Sequence, residues 1–529
     1  MFPARFEGNA LMARTKALPK APGQKAPQGI PAANVRIELA KADRLRRAGK
    51  LKPATAMCEA MLAQYPDYVA ALHTLGLIHM ETENYWAALS CFVRAAMLNP
   101  KDPTILINLG NVYFGLGAAE QSIQTLEQAK VFDPDNPIIH NTLGNIYLER
   151  REYELAAACL ETVLALDPTH AGAAYHLSSA YGHMGRNDDV SAVLKKAFKA
   201  DPKSIDILGT IAQQRTEVVP IDVLAAIDAL GENDGEPVKD FPIRVAFARS
   251  TALHNQGRYE EAWDSLLKVN AVLFARNKAV YEDHVRRREY SLKQAIKRTV
   301  KPRRHSADSA DVPGSLFILG PSRSGKTSLE RLVGAVDGVR RGFENPIVRN
   351  SVLRSCQLSG FLSLNHLAGM PDTLDEKFTD IYVDELLERA AGAKVFTNTH
   401  PGRIPDVGRL AATVPRARFV FVKRNVDDIA LRIFMKHYRA GSNTYSYNVK
   451  ATYAEIANYH RMIDIWVEKI PQSCLVVTYE DMIADPLATL SQVAKLCGLA
   501  MPSGPLPELG DDRGCAAPYR DLLGAARAA

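Results

Sequence analysis

Cysteine is scarce in these 529 residues: seven occur, at positions 58, 91, 159, 356, 474, 497 and 515. The number is odd and no two form a Cys-x-x-Cys pair. Neither a disulfide framework nor a zinc ribbon is expected, and a reducing compartment fits. No His or Cys spacing suggests a metal site. No run of about 18 apolar residues is free of charges, so no membrane-spanning helix is expected. The opening Met1-Phe2-Pro3-Ala4-Arg5-Phe6-Glu7 lacks the apolar core of a secretory signal, so a cytoplasmic location is expected. Excess charge is also small. Sixty-five Lys and Arg stand against 59 Asp and Glu, a net charge of +6. That permits an anionic ligand without pointing to nucleic acid. With 47% hydrophobic and 23% charged residues, the bulk of the chain is globular in composition.

What is present first is a repeat. Prolines stand at 66, 100, 134, 168 and 202, each 34 residues apart. Leu75-Gly76, Leu109-Gly110, Leu143-Gly144 and Leu177-Ser178 keep the same interval, as do Tyr113, Tyr147 and Tyr181, and Ala95, Ala129, Val163 and Ala197. Each unit reads as a helical hairpin. Glycine on the first helix lets the second pack close, and Asp133-Pro134 ends a second helix near Ser122–Phe132, because proline cannot continue the hydrogen-bond ladder. Such units need neighbours to bury their second face.

This pattern resembles the tetratricopeptide repeat family, over residues 35–202, in five units of which the first keeps little beyond Pro66. A further unit is expected at Gln256-Gly257-Arg258-Tyr259-Glu260-Glu261-Ala262-Trp263, after an insertion at Gly231–Pro242. A capping helix is expected near Tyr281–Thr299. The resemblance implies either a groove for a peptide or protein partner, or a scaffold that positions the second half of the chain. Trp86 and Trp263 read as core residues. Residues 1–34 read as a disordered basic tail, 35–299 as the solenoid with its cap, and 300–313 as a linker.

The last part, 314–529, begins differently. Ser315–Leu319 suits a buried parallel strand. Gly320-Pro321-Ser322-Arg323-Ser324-Gly325-Lys326-Thr327 comes next, then a helix from Ser328. Strand, glycine-rich turn and helix place backbone N–H groups around an anion, with Lys326 adding charge and Thr327 a hydroxyl. A P-loop ATPase or kinase fits this segment. A second strand, Phe419–Val422, ends in Lys423-Arg424 rather than in the acid that a magnesium site needs. Arg424, Arg432 and Lys436 are placed to converge on a second anion. Val476–Asp481 is the segment that imitates a metal-holding strand.

Pro321, Arg323, Ser324, Gly325 and Thr327 after a first strand, with Arg424 ending a later one, resemble the sulfotransferases. Further along, Tyr445–Asn448, Tyr459-His460-Arg461-Met462, Trp466, Leu475–Met482 and Asp485-Pro486 come in an order that resembles the bacterial branch in which tetratricopeptide repeats precede a sulfotransferase domain. The likeness covers about residues 315–502. It implies 3′-phosphoadenosine-5′-phosphosulfate (PAPS) as co-substrate and no metal. Arg323, Ser324, Gly325, Lys326, Thr327 and Ser328 would hold the 5′-phosphosulfate, and Arg424, Arg432 and Lys436 the 3′-phosphate, with Tyr459 at the nucleotide. Arg432 departs from the family, which has serine there.

By resemblance to the tyrosylprotein sulfotransferases, Glu344, 21 residues after Arg323, is the general base. Arg323 and Lys326 would stabilise the leaving group. The family's catalytic lysine corresponds to Thr399, so catalytic competence rests on whether Lys326 supplies the missing charge. Cytosolic members use histidine, which makes His400 the competing base.

The expected fold is therefore an N-terminal all-α tetratricopeptide solenoid followed by a C-terminal α/β, P-loop-like sulfotransferase domain with a parallel sheet. The expected function is sulfonyl transfer from PAPS to a hydroxyl of a peptide tyrosine, glycan or lipid, with the repeats recruiting the acceptor or a partner protein. The alternatives are a P-loop ATPase or kinase, and a catalytically weakened scaffold.

Overall fold

The 34-residue period becomes successive antiparallel helix pairs: Val69–Glu81 with Tyr85–Leu98, Pro103–Gly115 with Ala119–Phe132, Pro137–Arg150 with Tyr153–Leu166, and Ala171–His183 with Asn187–Ala200. This computed structural model describes residues 33–116, 118–150, 152–214, 219–230, 241–300, 312–359, 367–390, 392–438, 443–502 and 504–528. The expected basic tail up to residue 32, most of the expected insertion and linker residues 301–311 lie outside those ranges. Residues 33–64, where little of the repeat pattern survives, also form a helix pair, Ala33–Arg47 and Leu51–Gln64.

The repeated glycines mark close approach. A Cβ at Gly76 would lie 2.7 Å from the Phe92 ring, one at Gly110 2.7 Å from Leu126, and one at Gly144 2.7 Å from Leu160. Each contact joins the two helices of one pair. The leucine beside each glycine is buried, and so are Ala95, Ala129, Val163 and Ala197. The chain divides into two compact units at Leu109–Gly110, inside the array.

In the second unit the short helices Ile205–Ala212 and Val223–Asp228 are followed, among the described residues, by α1 (Phe241–Asn255), α2 (Tyr259–Arg276) and α3 (Lys278–Lys297). The first two pair over the segment where a further hairpin is expected, and the third spans most of the segment expected as a capping helix.

Among the described residues five parallel strands come after it: β1 (Gly314–Leu319), β2 (Val339–Arg340), β3 (Val395–Asn398), β4 (Arg418–Lys423) and β5 (Cys474–Thr478), in the order β2-β3-β1-β4-β5. Every residue of β1 is buried, as a central parallel strand covered on both faces requires. Alternate residues serve opposite cores. Phe317, Leu319, Phe419 and Phe421 pack on one side, while Leu316, Ile318, Val420 and Val422 pack on the other. The chain fills the β2–β3 side of β1 first and then crosses to β4. This reversal opens a crevice at the carboxyl ends of the central strands, where open α/β sheets bind ligands.

The last repeat helices pack directly on this domain. Ile243, Phe247, Trp263, Leu266 and Leu273 share one core with Phe434, Tyr445, Tyr453 and Tyr519. The buried Asn270 donates to the Phe434 carbonyl at 3.0 Å, and His284 and Arg288 both reach Glu455.

Candidate active site

The turn after β1 is tightly specified. Gly325 sits at φ +98° as the residue before α4 (Lys326–Val333), and a Cβ there would fall 2.4 Å from the Tyr479 ring. Only glycine meets both conditions. Arg323 is exposed at φ +67°, a left-handed conformation that costs a non-glycine residue about 1–3 kcal/mol and that clusters at functional sites. Ser324 is fully buried, and its Oγ has no hydrogen-bond partner. Thr327 and Ser328 stand on the first turn of α4, Thr327 exposed and Ser328 half-buried. Lys326 turns back into the loop. Its Nζ donates to the Gly320 and Pro321 carbonyls at 3.1 and 2.8 Å. Burial, and then the charge of Arg323, lowers its ammonium to about 8, against the opposing pull of Glu344.

Glu344 is exposed on the loop after β2. That loop is built by long-range bonds. Phe343, at φ +53°, donates its N–H to the fully buried Glu330 at 2.8 Å and accepts from the Thr399 N–H at 2.9 Å. Glu330 also accepts from the Thr397 hydroxyl and from Arg341, and Asn345 ties the loop to the Thr397 carbonyl at 3.1 Å. Glu330 thus positions the Glu344 loop from inside α4. The sequence reading missed it, because an acid on an amphipathic helix reads as a solvated face.

Thr399 is buried, and its backbone N–H is committed to the Glu344 loop. His400 follows β3 with Nδ1 accepting the Gly402 N–H at 3.1 Å. The neutral ring then carries its proton on Nε2, which leaves it a donor rather than a base. Burial, helped by Arg403, Lys326 and Arg349, pushes His400 down to about 4, so the neutral form persists at ordinary pH.

Arg424 ends β4 beside α5 (Val426–Phe434). It is buried, lies 4.3 Å over the Tyr479 ring, and donates to the Arg323 carbonyl at 3.2 Å. It therefore supports the left-handed loop residue directly. Arg424 and Arg432 do converge, but on Asp512: Arg424 Nη2 reaches Asp512 Oδ2 at 3.1 Å, Arg432 Nε reaches the same oxygen at 3.0 Å, and Arg432 Nη2 binds Oδ1. Lys436 is exposed, 5.1 Å over the Tyr438 ring, and its charge answers to Arg323 and Glu344. It thus belongs electrostatically with the loop. Tyr459 is buried in the core on helix α6 (Val449–Lys469), and its hydroxyl accepts the Gly320 N–H beneath the loop.

The crevice thus gathers Arg323, Lys326, Glu344 and Lys436 into one electrostatic group, with His400 adjoining through Lys326. Neither strand flanking β1 ends in a carboxylate: β3 ends at Asn398 and β4 at Lys423-Arg424. Glu480, the first acid after β5, accepts the Asn425 N–H at 2.9 Å. Among the described residues no cluster of His, Cys, Asp and Glu could hold a metal ion.

An open parallel sheet with a glycine loop after its central strand and a cationic end on the next defines an α/β domain. Residues 313–503 match the model of the sulfotransferase family. Residues 73–137 and 147–213 match tetratricopeptide repeat models. The chain therefore joins tetratricopeptide repeats to a sulfotransferase-family domain. No curated protein matches it. Among solved structures it is similar to MamA of Desulfovibrio magneticus, at 15% identity over 32% of this chain and 97% of that one, TM-score 0.30. It is also similar to a tetratricopeptide repeat protein of Thermus thermophilus, at 24% identity over 33% and 94%, TM-score 0.29. A third is a tetratricopeptide repeat protein of Parabacteroides merdae, at 18% identity over 45% and 93%, TM-score 0.35.

Proposed function

We propose that the domain transfers a sulfonyl group from PAPS to a hydroxyl acceptor, a peptide tyrosine, glycan or lipid that the repeats recruit directly or through a partner protein. The grouping of Glu344 with Arg323, Lys326 and Lys436 at the end of β1 carries this reading. The loop suits a 5′-phosphosulfate, because the buried Ser324 hydroxyl lacks a partner and the first backbone N–H groups of α4 stand beside it. When bound there, PAPS supplies an activated sulfonyl group on a phosphate leaving group.

Glu344 accepts the proton of the acceptor hydroxyl. Arg323 and Lys326 offset the negative charge that grows on the leaving oxygen, so Lys326 takes the part that Thr399 cannot. Lys436 adds charge on the open side. His400, with its proton on Nε2, donates a hydrogen bond instead of acting as base. The absence of a carboxylate at either strand flanking β1 speaks against a magnesium-dependent ATPase.

The test is calorimetry with 3′-phosphoadenosine 5′-phosphate, without and with magnesium, followed by transfer of labelled sulfonate from PAPS to peptide, glycan and lipid acceptors. Tight metal-independent binding and transfer that Arg323→Ala abolishes are expected. Binding of ATP only, and only with magnesium, sinks the proposal.

A further inference from the structure

Asp512 lies outside every motif named above, yet it binds both arginines assigned to the second phosphate. Its carboxylate takes Arg424 Nη2 and Arg432 Nε on one oxygen and Arg432 Nη2 on the other. This is the two-pronged geometry in which guanidinium groups hold a phosphate. Asp428, 3.8 Å from Arg424, is the other acid at this seat, but its oxygens are spent on the Gly514 and Ala516 N–H groups at 2.8 and 2.9 Å. Asp512 is thus the acid that fills the seat.

The segment that carries it is held at many points. The Tyr479 hydroxyl donates to the Gly510 carbonyl and accepts the Asp512 N–H, at 2.9 and 3.1 Å. Arg424 also binds the Asp512 carbonyl. Tyr519, fully buried, bonds His254 at 3.0 Å and packs against Tyr259 and Trp263 of the last repeat hairpin. The backbone is therefore anchored, while the Asp512 side chain itself is only half-buried.

We propose that Asp512 is a built-in stand-in for the 3′-phosphate: its carboxylate neutralises Arg424 and Arg432 in the free protein and must swing off them before a 3′-phosphorylated nucleotide can bind. The inference rests on the nucleotide reading above. It makes Asp512 a specificity-determining residue. A ligand carrying a 3′-phosphate must compete with Asp512, whereas one bound only through its 5′-phosphate leaves Asp512 in place. The anchored backbone gives the carboxylate a return position, so the seat refills when product leaves. The last repeat hairpin, through Tyr519, fixes where that return position is.

The experiment compares adenosine 5′-phosphate with 3′-phosphoadenosine 5′-phosphate on the full chain by calorimetry, for the parent protein and for Asp512→Asn. The carboxamide removes the competing charge but keeps the shape and leaves the backbone bonds alone. If the seat is open about a tenth of the time or less in the parent, Asp512→Asn tightens the 3′-phosphorylated ligand about tenfold or more. Adenosine 5′-phosphate should change by less than about twofold on the same reasoning. Asp512→Ser should give the same selective gain, which guards against a folding defect in one variant. A gain shared equally by both ligands, or no gain for the 3′-phosphorylated one, overturns the role of Asp512 while leaving the donor reading intact. If neither nucleotide binds parent or variants, the donor reading falls and this inference with it.

Discussion

Replacing Glu330 tests how the candidate base is held. Glu330 is fully buried and accepts from the Phe343 N–H at 2.8 Å, from the Thr397 hydroxyl, and from Arg341 at 3.5 Å. The Nε and Nη1 atoms of Arg341 already lack partners, so Glu330 carries that guanidinium. Breaking a buried ion pair by removing one member costs about 3–5 kcal/mol, and the long Arg341 contact places this one near the low end. The orphaned Phe343 N–H adds about 1 kcal/mol. Glu330→Ala should therefore lose about 3–5 kcal/mol, because costs that share one carboxylate do not simply add. Glu330→Gln keeps an acceptor oxygen and should lose about half as much. Urea denaturation reads the difference as a shift in midpoint at constant slope. Because the lost bonds hold Phe343 and not the nucleotide loop, sulfonyl transfer should fall in both variants while affinity for 3′-phosphoadenosine 5′-phosphate stays close to the parent's. A Glu330→Ala protein within about 1 kcal/mol of the parent would refute the assignment of Glu330 as the buried anchor.

Glu344→Gln should lower transfer by about 10²–10⁴-fold and leave nucleotide binding in place, whereas His400→Gln should cost far less; single-turnover assays separate the two. Lys326, lowered to about 8 by burial, is charged below that pH and neutral above it, so kcat/KM should fall as pH rises through about 8; Lys326→Arg, which stays charged, should remove that limb of the profile. In the repeats, Gly144→Ala puts a Cβ 2.7 Å from Leu160 and should cost about 1–3 kcal/mol, read by thermal unfolding, with a solvent-facing Gly182→Ala as the unstrained control.

The repeats and the sheet were legible because each is written by a local rule. A 34-residue interval needs no knowledge of what lies opposite, and a run such as Leu316–Leu319 followed by Gly320–Gly325 reads as a strand entering a glycine-rich turn. The expected second helix near Ser122–Phe132 forms as Ala119–Phe132, ended at Asp133 as read. The site was less legible where charge chooses its partner through space. Arg424, Arg432 and Lys436 were read as one group from their spacing, but Asp512, 80 residues beyond Arg432, takes the two arginines, and Lys436 lies over the Tyr438 ring. Asp511-Asp512-Arg513-Gly514 carries the composition of a solvated turn, and nothing local marks the second acid as half-buried. His400 could be counted as a base from sequence, but the Gly402 N–H that occupies its Nδ1 is a matter of backbone path.

Because Trp263, Phe247 and Asn270 are shared between the last repeat hairpin and the sheet domain, the two parts do not behave as interchangeable cassettes. The helices between residues 137 and 200 do most of their packing against neighbouring helices of the array, so duplication or loss there should disturb the sheet domain less than a change nearer to it. The hairpin at 241–276 has no such freedom. Every change on its buried face is also a change under Phe434 and Tyr519, which ties the pace of its divergence to that of the domain it supports.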